Sequence, residues 1–304
     1  MRHALYCEYN FLADFYNNRP IIKDENIFSE DTHVHIWKKY CDLFLKNSNL
    51  YLNVSYEEFN NKLNHPYIKM IYKKKTEGSI KLKFERFPRN FEDIDNDQMP
   101  KQALFFLSDN ERCEQLQNNY GWLFISNDDL FKKADILFSE DSFRKIDNNN
   151  DWSILQKFKH PCNFILLIDK YLFKKKVDTT NNLKSIFDAL LPEKINKKFS
   201  IEIRTTKSSE DDWKDKSVEE LENTIKEIIE SVRSNICVNI SIKFIQNSEH
   251  DRHLITNYYW FFCGYGFVLT YNQKAMGTDI HIHRIVQPFV LDRMEDLINK
   301  NTIN

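Results

Sequence analysis

His250 and Arg252 stand two residues apart in the run His250-Asp251-Arg252-His253-Leu254-Ile255-Thr256-Asn257, which leads into an apolar, strand-like segment. Residues two apart on a strand face the same side, so this spacing aims an imidazole and a guanidinium at one anion. The planar fork of an arginine suits paired contacts to phosphate oxygens. A plainer reading leaves His250 as a strand-edge histidine and ties Arg252 to Asp251 or Glu249. Further on, His281-Ile282-His283-Arg284 sets two imidazoles on one strand face, and His33-Val34-His35 has the same spacing. Neither pair has a nearby cysteine or a defined third ligand, so structural zinc is not expected. A third feature is basic. Lys73, Lys74, Lys75, Lys81 and Lys83 crowd the segment 67–89, with Tyr72, Phe84 and Phe87 interleaved and Glu77 and Glu85 against them. Lys75-Thr76-Glu77-Gly78 and the alternation in Ile80-Lys81-Leu82-Lys83-Phe84 predict a hairpin. Such a hairpin either tracks a phosphate backbone, which would make these five lysines nucleic-acid-binding, or stands as a solvated surface.

The His-x-Arg-x4-Asn run, with the strand and the Gly264-Tyr265-Gly266 turn that follow, resembles the phospholipase D superfamily, whose signature is His-x-Lys-x4-Asp. The resemblance covers about residues 160–300. It is closer still to the divergent phospholipase D-like domain found after microtubule-interacting-and-transport helices, which carries His-Asp-Arg and a Gly-rich turn and binds phosphoinositide head groups without hydrolysing them. The resemblance implies His250 as a catalytic residue, either the nucleophile on phosphorus or the acid for the leaving oxygen. It implies Arg252, Asn257 and His283 as phosphate-binding residues. Two departures stand out. The signature's Lys is Arg252 and its Asp is Asn257, so an orienting carboxylate is missing. Catalysis in the superfamily also needs two motifs, where this chain has one; a homodimer would supply the second.

Near the N-terminus, Tyr6-Cys7-Glu8-Tyr9-Asn10-Phe11-Leu12-Ala13-Asp14 resembles the opening of PIN-domain nucleases, with Glu8 in place of the family's Asp. Leu123-Phe124-Ile125-Ser126-Asn127-Asp128-Asp129 is similar to that family's later strand-Ser-Asn-Asp segment. The resemblance implies Glu8 and Asp128 as catalytic acids and Glu8, Glu58, Asp109 and Asp128 as ligands of Mg²⁺ or Mn²⁺. Carboxylates gathered at the carboxyl ends of parallel strands hold such ions, which activate water against a phosphodiester. The alternative is that these acids cap helices after buried strands, as Asp128 and Asp129 are placed to do.

The elements that must position these residues follow from the hydrophobic pattern. In the second half, Phe164–Ile168 is an unbroken apolar run, and Phe199–Ile203 and Val238–Phe244 alternate. Amphipathic stretches separate them: Leu183 to Leu191, then Ser217 to Arg233, where Ser217 and Glu220 form a capping box. Strands over 254–256, 258–263, 267–271 and 280–286 and a last helix, 289–300, complete this half. In the first half, strands are expected at 4–7, 103–107 and 122–125, with helices at 10–16, 37–44, 56–63 and 111–118. These readings give an α/β protein of two domains, each a mixed or parallel sheet with flanking helices, the C-terminal one phospholipase D-like. The boundary falls in the polar run Lys145 to Asp151, giving 1–147 and 152–304.

Composition narrows the function classes. The 304 residues carry 43 Lys and Arg against 45 Asp and Glu, so no global basic field draws the chain to nucleic acid, and any such binding must use a local patch. Five glycines and no GxxxxGK[ST] argue against a Gly-rich phosphate loop. No membrane-length apolar run or signal-peptide pattern is present, so a cytoplasmic protein with reduced, mostly buried cysteines is expected. No nucleophilic triad can be argued. The sequence therefore predicts a phosphate-directed protein acting on or binding nucleic acid, in the manner of a defence or toxin effector. The alternative is a non-catalytic binding protein, with a protein partner or a second copy, that keeps degenerate nuclease-like folds.

Overall fold

Apolar runs without alternation, such as Leu104–Phe106 and Phe164–Ile168, are buried along their whole length, as parallel strands covered on both faces must be. The structure, a computed structural model, describes residues 1–20, 32–88, 91, 99–140, 142–146, 152–159, 161–245, 252–264, 267, 270–271, 274–275 and 278–299. The chain is α/β and divides into two units, Met1–Gln117 with Trp122–Ser139 and Asn118–Gly121 with Glu140–Asn304.

Unit 1 contains β1 (His3–Cys7), α1 (Tyr9–Asn17), α2 (Thr32–Leu45), β2 (Ser48–Leu52), α3 (Tyr56–Asn61), α4 (Pro66–Thr76), β3 (Ile80–Lys83), β4 (Leu104–Phe106), α5 (Asn110–Tyr120), β5 (Leu123–Ile125) and α6 (Ala134–Phe138). Its strands are all parallel, in the order β3-β2-β1-β4-β5. One face carries a row of rings in register, Tyr51, Tyr6, Phe105 and Phe124, with centroids 4.4, 4.9 and 4.6 Å apart. On the other face Phe106 meets Phe11 of α1 and Phe44 of α2.

The predicted hairpin is instead a helix followed by a parallel strand. Tyr67, Ile68 and Ile71 are buried at helical spacing behind Pro66, and Gly78, with φ +75°, turns the chain into β3. β3 pairs with β2, a strand that the sequence pattern did not announce because its buried residues, Ser48, Leu50 and Leu52, begin with a serine. Lys81 and Lys83 point out from this edge strand, where charge blunts pairing with other chains.

Unit 2 contains β6 (Ser142–Ile146), a 3-10 helix (Trp152–Phe158), β7 (Phe164–Ile168), α7 (Lys176–Leu190), β8 (Phe199–Thr205), α8 (Val218–Val232), β9 (Val238–Phe244), β10 (Arg252–Ile255), β11 (Tyr259–Cys263), the two-residue strands β12 (Thr270–Tyr271) and β13 (Lys274–Ala275), β14 (Thr278–Arg284) and α9 (Pro288–Asn299). The division of the chain falls at Ser139–Glu140, before the polar run, because β6 pairs with β14 at the edge of the second sheet. That sheet runs β6-β14-β11-β10-β7-β8-β9. β7, β8 and β9 are parallel and joined by α7 and α8; the rest is antiparallel. The predicted capping box starts α8, with Ser217 N donating to Glu220 at 2.7 Å and Glu220 N to Ser217 at 3.2 Å.

α9 closes one face of this sheet. Its Val290, Met294 and Leu297 pack on Phe164, Leu166, Ile168 and Ile255. Arg204, on β8 and buried, donates through Nη2 to the Ile298 carbonyl at 2.7 Å and through Nη1 to that of Leu297. A cation thus meets the negative end of the helix, and Glu202 takes its Nε at 2.5 Å. All six cysteines are free; Cys237 is exposed and Cys41 half-buried, the other four buried. Among the described residues no helix is long and apolar enough to cross a membrane.

Candidate functional site

In unit 1 the chain winds outward from β1 through β2 and β3, then returns to place β4 on the other side of β1. The crevice beyond the carboxyl ends of β1 and β4 is where doubly wound sheets take ligands. Glu8, the residue after β1, lies there, but its carboxylate is already engaged. Oε2 accepts from Ser108 N at 2.9 Å and Oε1 from Arg112 Nη1 at 3.0 Å. Asp109 is exposed and caps α5, accepting from Arg112 N at 3.1 Å. Asp128 is exposed, whereas Asp129 beside it is buried and holds Lys132 and Lys133, each at 3.3 Å. Glu58 closes a capping box with Ser55, and those hydrogen bonds hold its carboxyl below the ordinary value. Among the described residues no three acids, histidines or cysteines gather to hold a metal ion. The expected Glu8–Glu58–Asp109–Asp128 centre for Mg²⁺ or Mn²⁺ is therefore not gathered among the described residues: Ser108 N and Arg112 hold Glu8, helix caps hold Glu58 and Asp109, and Asp128 stands exposed. Wild type and Asp128→Ala are expected to show the same response of melting temperature to Mn²⁺. A shift confined to wild type would return Asp128 to a metal role.

The basic residues of 67–83 do not form one surface strip. Lys73 and Lys74 lie 3.8 and 2.6 Å from Glu77 at the end of α4, and Lys75 sits over the Tyr72 ring at 5.3 Å. Lys81 and Lys83 belong to the β3 edge. His33 and His35 are on α2, where two residues apart means about 200° around the axis, so they do not share a face.

In unit 2, His250 lies outside the described residues. Arg252 opens β10, and its Nη1 donates to the Gly264 carbonyl at 2.8 Å while its Nε lies 3.9 Å from Asp169 Oδ1. Asn257 is not a ligand-facing group. It is fully buried: its Oδ1 accepts from Asn163 N at 3.0 Å and its Nδ2 donates to Asn163 Oδ1 at 2.8 Å. His283 cannot share a phosphate with Arg252 either. The register sets His283 beside Trp260 and Ile255 on one face of the sheet, and Arg252 beside Cys263 and Ile280 on the other.

What the structure does gather around Arg252 is a cationic group on one exposed ring. Tyr171, 44% exposed, has the Arg252 guanidinium 5.3 Å from its centroid, Lys170 Nζ at 5.5 Å and Lys174 Nζ at 5.6 Å. The ring stands just past the carboxyl end of β7, and hydrogen bonds fix the turn that carries it. Asp169 accepts from Tyr171 N at 2.9 Å and from Phe267 N at 2.8 Å, and the Lys170 carbonyl accepts from the Thr206 hydroxyl at 2.8 Å. Burial pushes the Asp169 carboxyl above the ordinary value, opposed by those two N–H donors and by Arg252. Of the three cations, Arg252 faces this carboxylate. Each cation near an exposed ring gains only about 0.5–1 kcal/mol from it. The sequence held a signal for the grouping that went unread: a buried strand ending in Asp169-Lys170-Tyr171, then Lys174-Lys175-Lys176.

No family model matches this chain. Neither the phospholipase D nor the PIN resemblance is thus carried by a family match, and no curated protein matches the sequence. Among solved structures, the crystal structure of polyphosphate kinase from Porphyromonas gingivalis is similar, with a TM-score of 0.30 and 12% identity. The similarity covers 53% of this chain and 26% of that one. The functional reading therefore stands on this chain's own residues.

Proposed function

We propose that this protein is a phosphate-directed, nucleic-acid-binding protein whose anion site is the cationic group around Tyr171 in unit 2. The observation that carries the reading is the placement of Arg252, Lys170 and Lys174 within 5.3–5.6 Å of one exposed aromatic ring. Cations grouped over one exposed ring suit a phosphate-bearing ligand, whose negative charge they would neutralise. Binding without cleavage is favoured over a nuclease, because Glu8, Asp109 and Glu58 are engaged elsewhere and no metal-holding group gathers among the described residues. Asn257, in the place of the phospholipase D acid, is likewise buried against Asn163.

The test is binding of a labelled oligonucleotide at several salt concentrations, with Mn²⁺ present to reveal any cleavage. Each lysine that contacts a phosphate of a single strand adds roughly 0.7 to the steepness of the salt dependence. Lys170→Ala combined with Lys174→Ala is expected to weaken binding and make the slope shallower by about 1.4. Equal affinity and slope in wild type and the double variant would overturn the assignment.

A further inference from the structure

The sheet of each unit ends in edge strands, and the two units treat theirs differently. In unit 1 the edge strand β3 turns Lys81 and Lys83 outward. In unit 2, β9 ends the sheet, and among the described strands β8 is its one neighbour. Its sequence, Val238-Asn239-Ile240-Ser241-Ile242-Lys243-Phe244, alternates β-branched or aromatic residues with polar ones and contains neither proline nor glycine. Its charged side chain, Lys243, lies 3.1 Å from Glu202 of β8, across the face of the sheet rather than out from the edge. A strand of this composition is a ready template for another strand.

The ladder shows which peptide groups face out. Cys237 O accepts from Phe199 N at 2.8 Å, and Ile245 N donates to Thr205 O at 2.8 Å. The odd-numbered residues of this stretch thus turn their peptide groups toward β8. The N–H and C=O groups of Val238, Ile240, Ile242 and Phe244 therefore point away from it, along the edge. Ile242 N has a partner from outside the sheet. It donates to Glu222 Oε1 at 3.0 Å, a carboxylate that reaches the edge from the second turn of α8.

The edge is complementary to itself. When two β9 strands run antiparallel about Ser241, Ile240 lies opposite Ile242 and Val238 opposite Phe244. Each of these pairs sets outward N–H against outward C=O. The two-fold axis would pass at Ser241, one residue from Ile242, and would bring the Glu222 carboxylates of the two copies together. Glu222 opposes this pairing in two ways: it occupies the Ile242 N–H, and it sets like charges near the axis.

We infer that the β9 edge is a pairing surface for a second copy of this chain and that Glu222 is the latch that holds it shut. Removal of the carboxylate would free the Ile242 N–H for the Ile240 carbonyl of the other copy.

The test is sedimentation of the full chain over a range of concentrations. Glu222→Ala is expected to self-associate about 10- to 100-fold more tightly than wild type, the fold-change that corresponds to one hydrogen bond to a charged group. Alanine suits the helix, so the variant should keep its fold. Glu222→Gln keeps an acceptor for Ile242 N and should associate less than the alanine variant. Ile240→Pro deletes an outward N–H without removing a bond to β8, a change that edge strands tolerate. Added to Glu222→Ala, it should return association to the wild-type level. Association no tighter in Glu222→Ala than in wild type would overturn the inference, and so would tight association that persists with Ile240→Pro. Amide hydrogen exchange needs no variant: in wild type the Ile242 N–H should exchange more slowly than that of Ile240. Equal rates would show that no latch is closed and overturn the inference as well.

Discussion

Asn257→Ala is expected to cost unit 2 about 2–5 kcal/mol of stability, measured as a lower urea midpoint at unchanged slope. Asn257 and Asn163 form a closed pair, with the backbone N–H of Asn163 and both side-chain amides bonded at 3.0 and 2.8 Å. Asn163 also donates to the Tyr120 carbonyl at 2.8 Å. Both side chains are buried, Asn257 completely, so no water can replace a lost partner. Truncation strands the N–H and the Oδ1 of Asn163, at about 1–3 kcal/mol for each unmet buried group. Asn257→Asp should be at least as harmful, since a carboxylate oxygen would confront Asn163 Oδ1 in a dry site. This is a physical reason for asparagine at the position where the phospholipase D signature has aspartate. An Asn257→Ala protein of wild-type stability that had lost oligonucleotide binding would reverse the assignment and return Asn257 to the ligand.

Gly121→Ala should be comparably severe, on the order of 3 kcal/mol, because left-handed strain and a clash act together. Gly121 has φ +69°, and an added Cβ would stand 2.5 Å from the Cys162 carbonyl oxygen and 2.8 Å from its carbon. Both are backbone atoms, which cannot swing aside as a side chain would. Gly78 provides the control. It has φ +75° with nothing within 4 Å of an added Cβ, so Gly78→Ala should pay only the backbone term, about 1–2 kcal/mol. Thermal melts of the two variants separate strain from clash. Equal losses would show that the Cys162 backbone gives way. Gly121 and Asn257 both touch the Cys162–Asn163 segment, so their combined effect should depart from a simple sum.

The strands and helices of unit 2 were legible because their apolar periods are long and unmixed: Val218–Val232 shows a helical stripe, and Phe164–Ile168 an unbroken run. In unit 1, segment 67–72, expected as the first strand of the hairpin, is part of α4: two apolar residues, Tyr67 and Ile68, stand side by side before Ile71, which suits either period. The site was less legible than the fold. Glu8 and Asp109 follow β1 and β4 as the sequence implied, and Glu58 lies in the first turn of α3, but spacing does not show that Arg112, the α5 cap and Ser55 would claim them. Arg252 was singled out as a phosphate-binding residue beside His250, and the structure sets it over the Tyr171 ring; Asn257 and His283 were attached to it by resemblance and type. Burial and strand register, which no local spacing encodes, separated them. Tyr171 was passed over because aromatic residues are common here and its cations come from two distant segments.

The grip of Arg204 on the last turn of α9 has a consequence for how the protein is made. Its charge sits out of water among the carbonyls of Leu297 and Ile298, and those residues are synthesised about ninety positions after it. Until the ribosome has delivered them, a nascent β7–β8 pair would leave the Arg204 Nη groups without these carbonyls and the apolar floor of Phe164, Leu166 and Ile168 uncovered. Unit 2 is therefore expected to mature only once α9 has been made, and to depend on whatever shields Phe164, Leu166 and Ile168 in the interval.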